Sequence, residues 1–404
     1  MRLLITITFH TMRETIQIKN LGALKDTGVI DIRSMTVFIG NSASGKSTLM
    51  KTLALMRYIF KRLSIRAYLR NSHVEDKVFY IRFKDYLRDN MIGLVESQTY
   101  IHYDVTINNH TYSATYSNGK LTYNAQIHNG DLCFFKEVWV AESRSAIAPL
   151  SSQGTLARNV SLGYFFNETL SEFNAATDAM RHFDLSYVGL DMDVVRGGNN
   201  QKKYMLKPQD NNYPPFELRH ASSGIQTTAP LVAMVNYYAY AFDFKAAQKR
   251  SIIDFLFDKD LTTTYRPEME LTDMPKYVHI HIEEPELSLD PTSQIKLLNE
   301  IIRLAFKDKA DRREIGLVFA THSPYLINSL NLLMKAYDCN ENIDGASLDY
   351  DNLSVYQVVS GKVTDLKIRN IHYINTDRLS EDINFIYDKY QELKRQQDEK
   401  SLGK

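Results

Sequence analysis

The chain has 404 residues, 44% hydrophobic and 24% charged, the balance of a soluble globular protein long enough for one large or two ordinary domains. Lysine plus arginine and aspartate plus glutamate stand at 48 each, so no global field draws the chain to nucleic acid or to an anionic membrane. Cys133 and Cys339 lack the spacing of a zinc site or a disulfide framework, Leu3 to Phe9 is too short for a secretory leader, and nothing approaches the ~20 apolar residues of a membrane span, so a cytoplasmic setting without a membrane partner is expected.

Thr15 to Ile18, Gly28 to Ile32 and Thr36 to Ile39 read as three short strands. Gly40-Asn41-Ser42-Ala43-Ser44-Gly45-Lys46-Ser47-Thr48 follows the third, and an apolar helical pattern through Leu49, Leu53 and Met56 follows the loop. Strand, glycine-bounded loop and Lys-Ser in that order form a phosphate cradle: loop N–H groups and the helix N-terminus face phosphate oxygens, Lys46 bridges the β- and γ-phosphates, and the Ser47 hydroxyl holds Mg²⁺.

Tyr100 to Tyr123 alternates apolar and polar residues around Asn108-Asn109 and Asn118-Gly119, which predicts an antiparallel meander. A strand is expected at Val138 to Val140, a helix over Ser161 to His182, and a loop-like boundary over Val195 to Pro215. Beyond it come a helix from Pro230 to Lys245, a buried strand from Val278 to Ile282, a helix from Pro291 to Phe306, a strand from Gly316 to Ala320 and a helix near Pro324. A hairpin (Leu353 to Val359, Lys362 to Ile368) and a charged helix from Ser380 close the chain. Strands alternating with helices predict an α/β fold with a mainly parallel, helix-flanked sheet.

Two further segments carry chemistry. Tyr277 to Ile282 is a strand that runs into Glu283-Glu284-Pro285-Glu286, and strand alternation sends Glu283 and Glu284 to opposite sides, so that one serves Mg²⁺ and the other faces a water in line with the γ-phosphate. His279 and His281 share the opposite face from Val278, Ile280 and Ile282 and read as core or interfacial histidines. Ala221 to Gln226 sets Ser222, Ser223, Gly224 and Gln226 at a helix start expected near Thr228 to Pro230; by itself this turn suits a plain helix cap as well as an anion site.

The order of phosphate loop, Ser-Ser-Gly turn, paired acids, Leu287-Ser288-Leu289-Asp290 and Ala320-Thr321-His322-Ser323-Pro324 resembles the ABC-type ATPases, in particular their soluble RecF, SMC and OLD-like branch without a Toprim domain. Ile16 to Gly22 and Trp139 to Arg144 are similar to further family segments. The resemblance implies one ABC-type ATPase domain over 1–404, with an antiparallel β part at 75–150, an inserted helical subdomain at 151–215 and a C-terminal hairpin and helix at 350–404. It assigns Glu283 to the metal, Glu284 to the catalytic base, Asp290 to the D-loop and His322 to the γ-phosphate. Ser222, Ser223, Gly224 and Gln226 become the signature turn, acting in trans in a head-to-tail homodimer or higher homo-oligomer that ATP and Mg²⁺ close. Arg144 reads as a phosphate or lobe-coupling contact or as a structural salt bridge. The biological role implied is a switch for a separate effector, a nuclease or toxin of bacterial phage defence; the alternative is a RecF-like ATP-dependent DNA clamp in repair.

Overall fold

A computed structural model describes residues 12–72, 81–124, 126–150, 163–197, 202–258, 274–307, 311 and 313–402; Leu3 to Phe9 and the expected start of the 161–182 helix lie outside them. In chain order come β1 (Arg13–Leu21), β2 (Leu24–Ile32), β3 (Met35–Ile39), α1 (Lys46–Asn71), β4 (Val95–Ile107), β5 (His110–Ser117), β6 (Lys120–Tyr123) and β7 (Phe134–Val140). Next are α2 (Ile147–Leu150), α3 (Tyr164–Ala179), β8 (His182–Leu185), β9 (Leu190–Arg196), β10 (Lys202–Pro208), β11 (Phe216–Glu217), α4 (Ser223–Asn236) and α5 (Phe244–Asp258). The remainder is β12 (Lys276–Glu283), α6 (Pro291–Phe306), β13 (Glu314–Thr321), α7 (Pro324–Asp338), β14 (Leu353–Val359), β15 (Lys362–Asp365), β16 (Lys367–Ile368), β17 (Tyr373–Ile374) and α8 (Glu381–Leu402).

Eleven strands form one sheet in the order β6-β5-β4-β1-β2-β15-β14-β3-β13-β12-β7. From β14 to β7 the neighbours are parallel, and from β2 to β6 they are antiparallel. The meander is therefore an extension of the parallel sheet, joined through the long β1–β4 ladder. The parallel strands are continuous apolar runs because both faces are covered. Residues Val37, Ile280, Ile282 and Phe319 pack against α3, α4, α6 and α7, while Phe38, Val318 and Ala320 pack against Leu49, Leu53, Met56 and Phe60 of α1. Each fully buried large side chain on that helix contributes about 1.5–3 kcal/mol relative to exposure.

Register places the site. Thr321 pairs with Ile39, Glu283 with Ala320, and Ile282 with Val140, so the carboxyl ends of β3, β13, β12 and β7 lie level along one edge. The loops that follow those ends therefore open onto a common crevice, where parallel sheets place ligands.

Several expectations change. Among the described residues of 151–215 the long helix is Tyr164–Ala179; β9 pairs antiparallel with β8 and with β10, and β11 adds to β10, as a second sheet. Within the loop-like 195–215 lies β10, paired with β9, where Tyr204 and Leu206 alternate into the core between exposed lysines. β7, expected in the antiparallel part, is the parallel edge strand beside β12. Helix α4 starts at Ser223, capped at Ser222, which leaves Pro230 inside the helix rather than in its first turn.

Candidate functional site

The phosphate loop leaves the end of β3 and enters α1 with Gly45 at the N-cap position, no side-chain cap and no acid in the first turn. The positive end of the longest helix is thus uncompensated and available to an anion. Gly40 is required by a close approach, since a Cβ there collides with the Val358 carbonyl oxygen. Lys46 is buried and folds back on its own loop, donating to the carbonyl oxygens of Gly40 at 2.8 Å and Asn41 at 2.9 Å. Burial lowers its pKa against the opposing pull of Glu284 and Glu286.

A cavity of about 260 Å³ is lined by loop residues Ser42 to Thr48 and by Glu142, Glu283, Glu284, Ala320 and His322. Separate stretches of chain, each following a level strand end, thereby meet around one space. Glu283 is buried; burial pushes its carboxyl up, and Lys51, 4.0 Å away, together with the neighbouring Ser47 hydroxyl, pulls it down. One hydroxyl and one carboxylate are a hard-oxygen pair suited to Mg²⁺, which keeps several waters and takes the rest of its shell from phosphates. Among the described residues no three His, Cys, Asp or Glu side chains form a metal cluster, so an ion held here draws its other ligands from substrate and water.

The two acids do not separate by strand alternation. Glu284 adopts φ 43°, a left-handed kink at the end of β12, and its N–H donates to the Ala320 carbonyl at 2.8 Å. Both residues line the same cavity. His322 Nε2 lies 3.3 Å from Glu284 Oε1. The histidine is held by Glu286, whose Oε1 accepts from the His322 N–H at 2.6 Å and from the Thr321 hydroxyl at 2.8 Å. Sequence reasoning gave Glu286 no role; the third acid of Glu-Glu-Pro-Glu was its only signal.

Arg144 is fully buried and joins three elements. Its guanidinium donates to the carbonyls of Glu283 at 2.7 Å, Glu284 at 2.6 Å, Ala141 at 3.1 Å and Thr227 at 3.1 Å. Burial brings its pKa down to about 10 against the attraction of Glu286, Glu284 and Glu283. Of the alternatives for this residue, the geometry matches coupling: it ties the acid turn to helix α4 through backbone carbonyls.

The Ser222 to Gln226 turn stands outside the cavity lining. Ser222 and Ser223 are exposed, and Gln226 Nε2 donates to the carbonyls of Arg219 at 3.0 Å and Ala221 at 2.9 Å, shaping the turn. Gly224 is buried; a Cβ there would lie 2.9 Å from Leu289 Cδ2 and from the Ser288 carbonyl oxygen. Gly224→Ala is expected to cost about 1–3 kcal/mol by overpacking, read as a lower urea midpoint at unchanged slope. Asp290 caps α6, accepting from the N–H groups of Thr292 at 3.0 Å and Ser293 at 3.2 Å. His279 and His281 are buried on Glu137, at 2.7 and 2.8 Å, as core histidines.

No family model matches the chain. No curated protein matches it either. Among solved structures it is similar to the SMC head domain from Thermotoga maritima, at 11% identity and a TM-score of 0.37 over 88% of this chain and 99% of that one. An SMC head bound to the C-terminal winged-helix domain of ScpA matches at 12% identity and 0.38, over 89% and 99%. The recombination mediator RecF matches at 13% and 0.34, over 88% and 99%. Among the described residues no helix is long and apolar enough to cross a membrane.

Proposed function

We propose that the chain is an ABC-type ATPase that binds ATP with Mg²⁺ and hydrolyses it to ADP and phosphate. The observation that carries this reading is the convergence of Lys46, Ser47, Glu283, Glu284 and His322 on one cavity beside an open helix N-terminus. Lys46 exchanges its two loop carbonyls for phosphate oxygens when nucleotide enters. Ser47 and Glu283 hold Mg²⁺, which supplies charge neutralisation for the β- and γ-phosphates. Glu284 takes the proton of the attacking water, and His322, 3.3 Å from Glu284, steadies that carboxylate and faces the transferring group.

The exposed Ser222-Ser223 turn, absent from the lining of its own cavity, supports a head-to-tail pair in which Ser222, Ser223 and the Gly224 N–H meet the phosphates bound by the other copy. ATP then acts as a ligand with greater affinity for the closed pair, and hydrolysis removes that bias. Lys46→Ala is expected to abolish ATP binding in an equilibrium titration while leaving the thermal transition in place. Wild-type affinity in that variant would refute the assignment of the cavity.

Control of a separate nuclease or toxin in phage defence follows from the family resemblance. It is supported if a partner copurifies with the wild type and leaves on hydrolysis. Salt-sensitive, ATP-dependent DNA binding in place of such a partner would favour the DNA-clamp alternative.

A further inference from the structure

The antiparallel end of the sheet carries a side-chain cluster that the nucleotide cavity does not use. Ladder register sets Thr106 opposite Arg13 and Ile32 opposite Glu14, so the β4–β5 turn and His110, the first residue of β5, lie at the end of the sheet where β3 begins, opposite the phosphate loop. The one-turn 3₁₀ segment Asn129–Asp131, on the way into β7, places the Asp131 carboxylate against that turn. Asp131 is 2% exposed, and three side chains of the hairpin donate to it: Asn108 Nδ2 at 2.8 Å, His110 Nδ1 at 2.7 Å and the Tyr112 hydroxyl at 2.5 Å. The Tyr112 oxygen in turn accepts from the His128 N–H at 3.2 Å. One buried carboxylate thereby fixes the ring of His110 and, through Tyr112, the backbone of His128.

That arrangement decides which ring nitrogen is free. Burial pushes the Asp131 carboxyl up, but the bonds from Tyr112, Asn108 and His110 outweigh it and hold the group ionised. An ionised carboxylate only accepts, so His110 Nδ1 carries the proton and Nε2 keeps the lone pair. A carboxylate on one ring nitrogen is the partner that metal-binding histidines use to fix their tautomer and strengthen the other nitrogen as a ligand. The His110 side chain is 53% exposed and His128 is exposed, so ions and water reach both. Among the described residues no hydrogen bond occupies His110 Nε2 or a ring nitrogen of His128. The two ring centres lie 4.6 Å apart with their planes 37° from one another. An ion bonded to one nitrogen of each ring at about 2.0–2.1 Å, with about 90° between the bonds, sets ring centres about 4.5 Å apart.

We infer that His110 Nε2 and a ring nitrogen of His128 together hold a divalent transition-metal ion of the nickel, copper and zinc group, with Asp131 orienting His110 and water completing the ion's shell. Two imidazoles select these ions over Mg²⁺, which takes oxygen ligands, so the chemistry differs from that of the Ser47 and Glu283 pair. The ion ties the β4–β5 hairpin to the segment that leads into β7. Neither histidine lines the nucleotide cavity, and the inference does not rest on the proposed function.

The untagged full chain, freed of metal by chelation, is titrated with Ni²⁺ in a calorimeter without nucleotide, alongside Lys46→Ala, His110→Ala and His128→Ala. The expected result is one tightly bound Ni²⁺ per chain, unaffected by Lys46→Ala or by excess Mg²⁺ and weakened roughly tenfold or more by either histidine substitution. His128 is exposed and its ring makes no hydrogen bond among the described residues, so His128→Ala should keep the metal-free thermal transition of the wild type. A folded Asp131→Asn protein should bind about 10- to 100-fold more weakly, the range for losing the partner behind a ligand. With Cu²⁺ in place of Ni²⁺, electron paramagnetic resonance should show splitting from two nitrogen ligands. Absence of saturable Ni²⁺ binding, or binding that survives both histidine substitutions, overturns the site. Loss in only one histidine variant, or a copper spectrum with a single nitrogen, overturns the shared ion. Unchanged affinity in folded Asp131→Asn overturns the orienting role of the carboxylate.

Discussion

Glu284→Gln should bind ATP with near wild-type affinity and hydrolyse it about 100- to 10,000-fold more slowly, the usual range for removal of a positioned general base. The substitution is isosteric, so the left-handed kink at Glu284 and its backbone bond to Ala320 are retained, and the amide still fits beside His322. What disappears is the ability to accept the proton of water. ATP would then persist in the cavity, and a complex that closes on ATP would no longer reopen. Two measurements separate these steps: single-turnover hydrolysis for the chemistry, and light scattering with ATP and Mg²⁺ for the assembly. Unimpaired single turnover would move the base to another residue, Glu286 being the adjacent carboxylate with one buried oxygen lacking a partner. Loss of ATP binding instead would mean that the acid turn holds the cavity together rather than acting on water.

The parts of the fold that were legible in the sequence are those whose signal is local. The run Met35 to Ile39, the loop to Thr48 and the start of α6 after Asp290-Pro291 are written in adjacent residues, through apolar runs, glycine and a capping side chain. The β9–β10 hairpin was hidden because Gly, Asn and Lys around residues 196–203 mask the short alternation of Tyr204 and Leu206. Pro230 suggested a helix start because proline favours the first turn, yet Ser222 begins the helix two turns earlier. In the site, the types of Lys46, Ser47, Glu283, Glu284 and His322 could be read, but not the left-handed kink at Glu284. The role of Glu286 stayed hidden, and coupling by Arg144 was one reading among three, because their partners are distant in sequence: Glu286 reaches Thr321 and His322 across 35 and 36 positions, and Arg144 reaches Glu283 and Glu284 across 139 and 140. Periodicity carries no trace of such a contact.

Arg144→Ala should therefore do two things at once. Deleting a fully buried guanidinium removes a donor from four carbonyl oxygens, those of Ala141, Thr227, Glu283 and Glu284, of which Ala141 still accepts from the backbone N–H of residue 144 at 3.2 Å. A buried carbonyl left without its donor costs about 1–3 kcal/mol, so losing several at once is a large part of a typical domain's stability. Loss of stability alone would fit any core residue, so the informative variant is Arg144→Lys. Lysine keeps the charge, but one ammonium cannot reproduce a planar fork that reaches three elements. If Arg144 positions the acids, a folded Arg144→Lys protein should bind ATP almost normally, because the phosphate loop makes no contact with the guanidinium, while kcat falls at least tenfold as the Glu284 carboxylate loses its fixed place beside His322. If Arg144 is only a structural strut, kcat and ATP affinity should follow the loss of stability together and recover together on cooling. A kcat deficit that persists at temperatures where the variant is fully folded is the result that distinguishes a residue coupling helix α4 to the acid turn from one that merely fills the core.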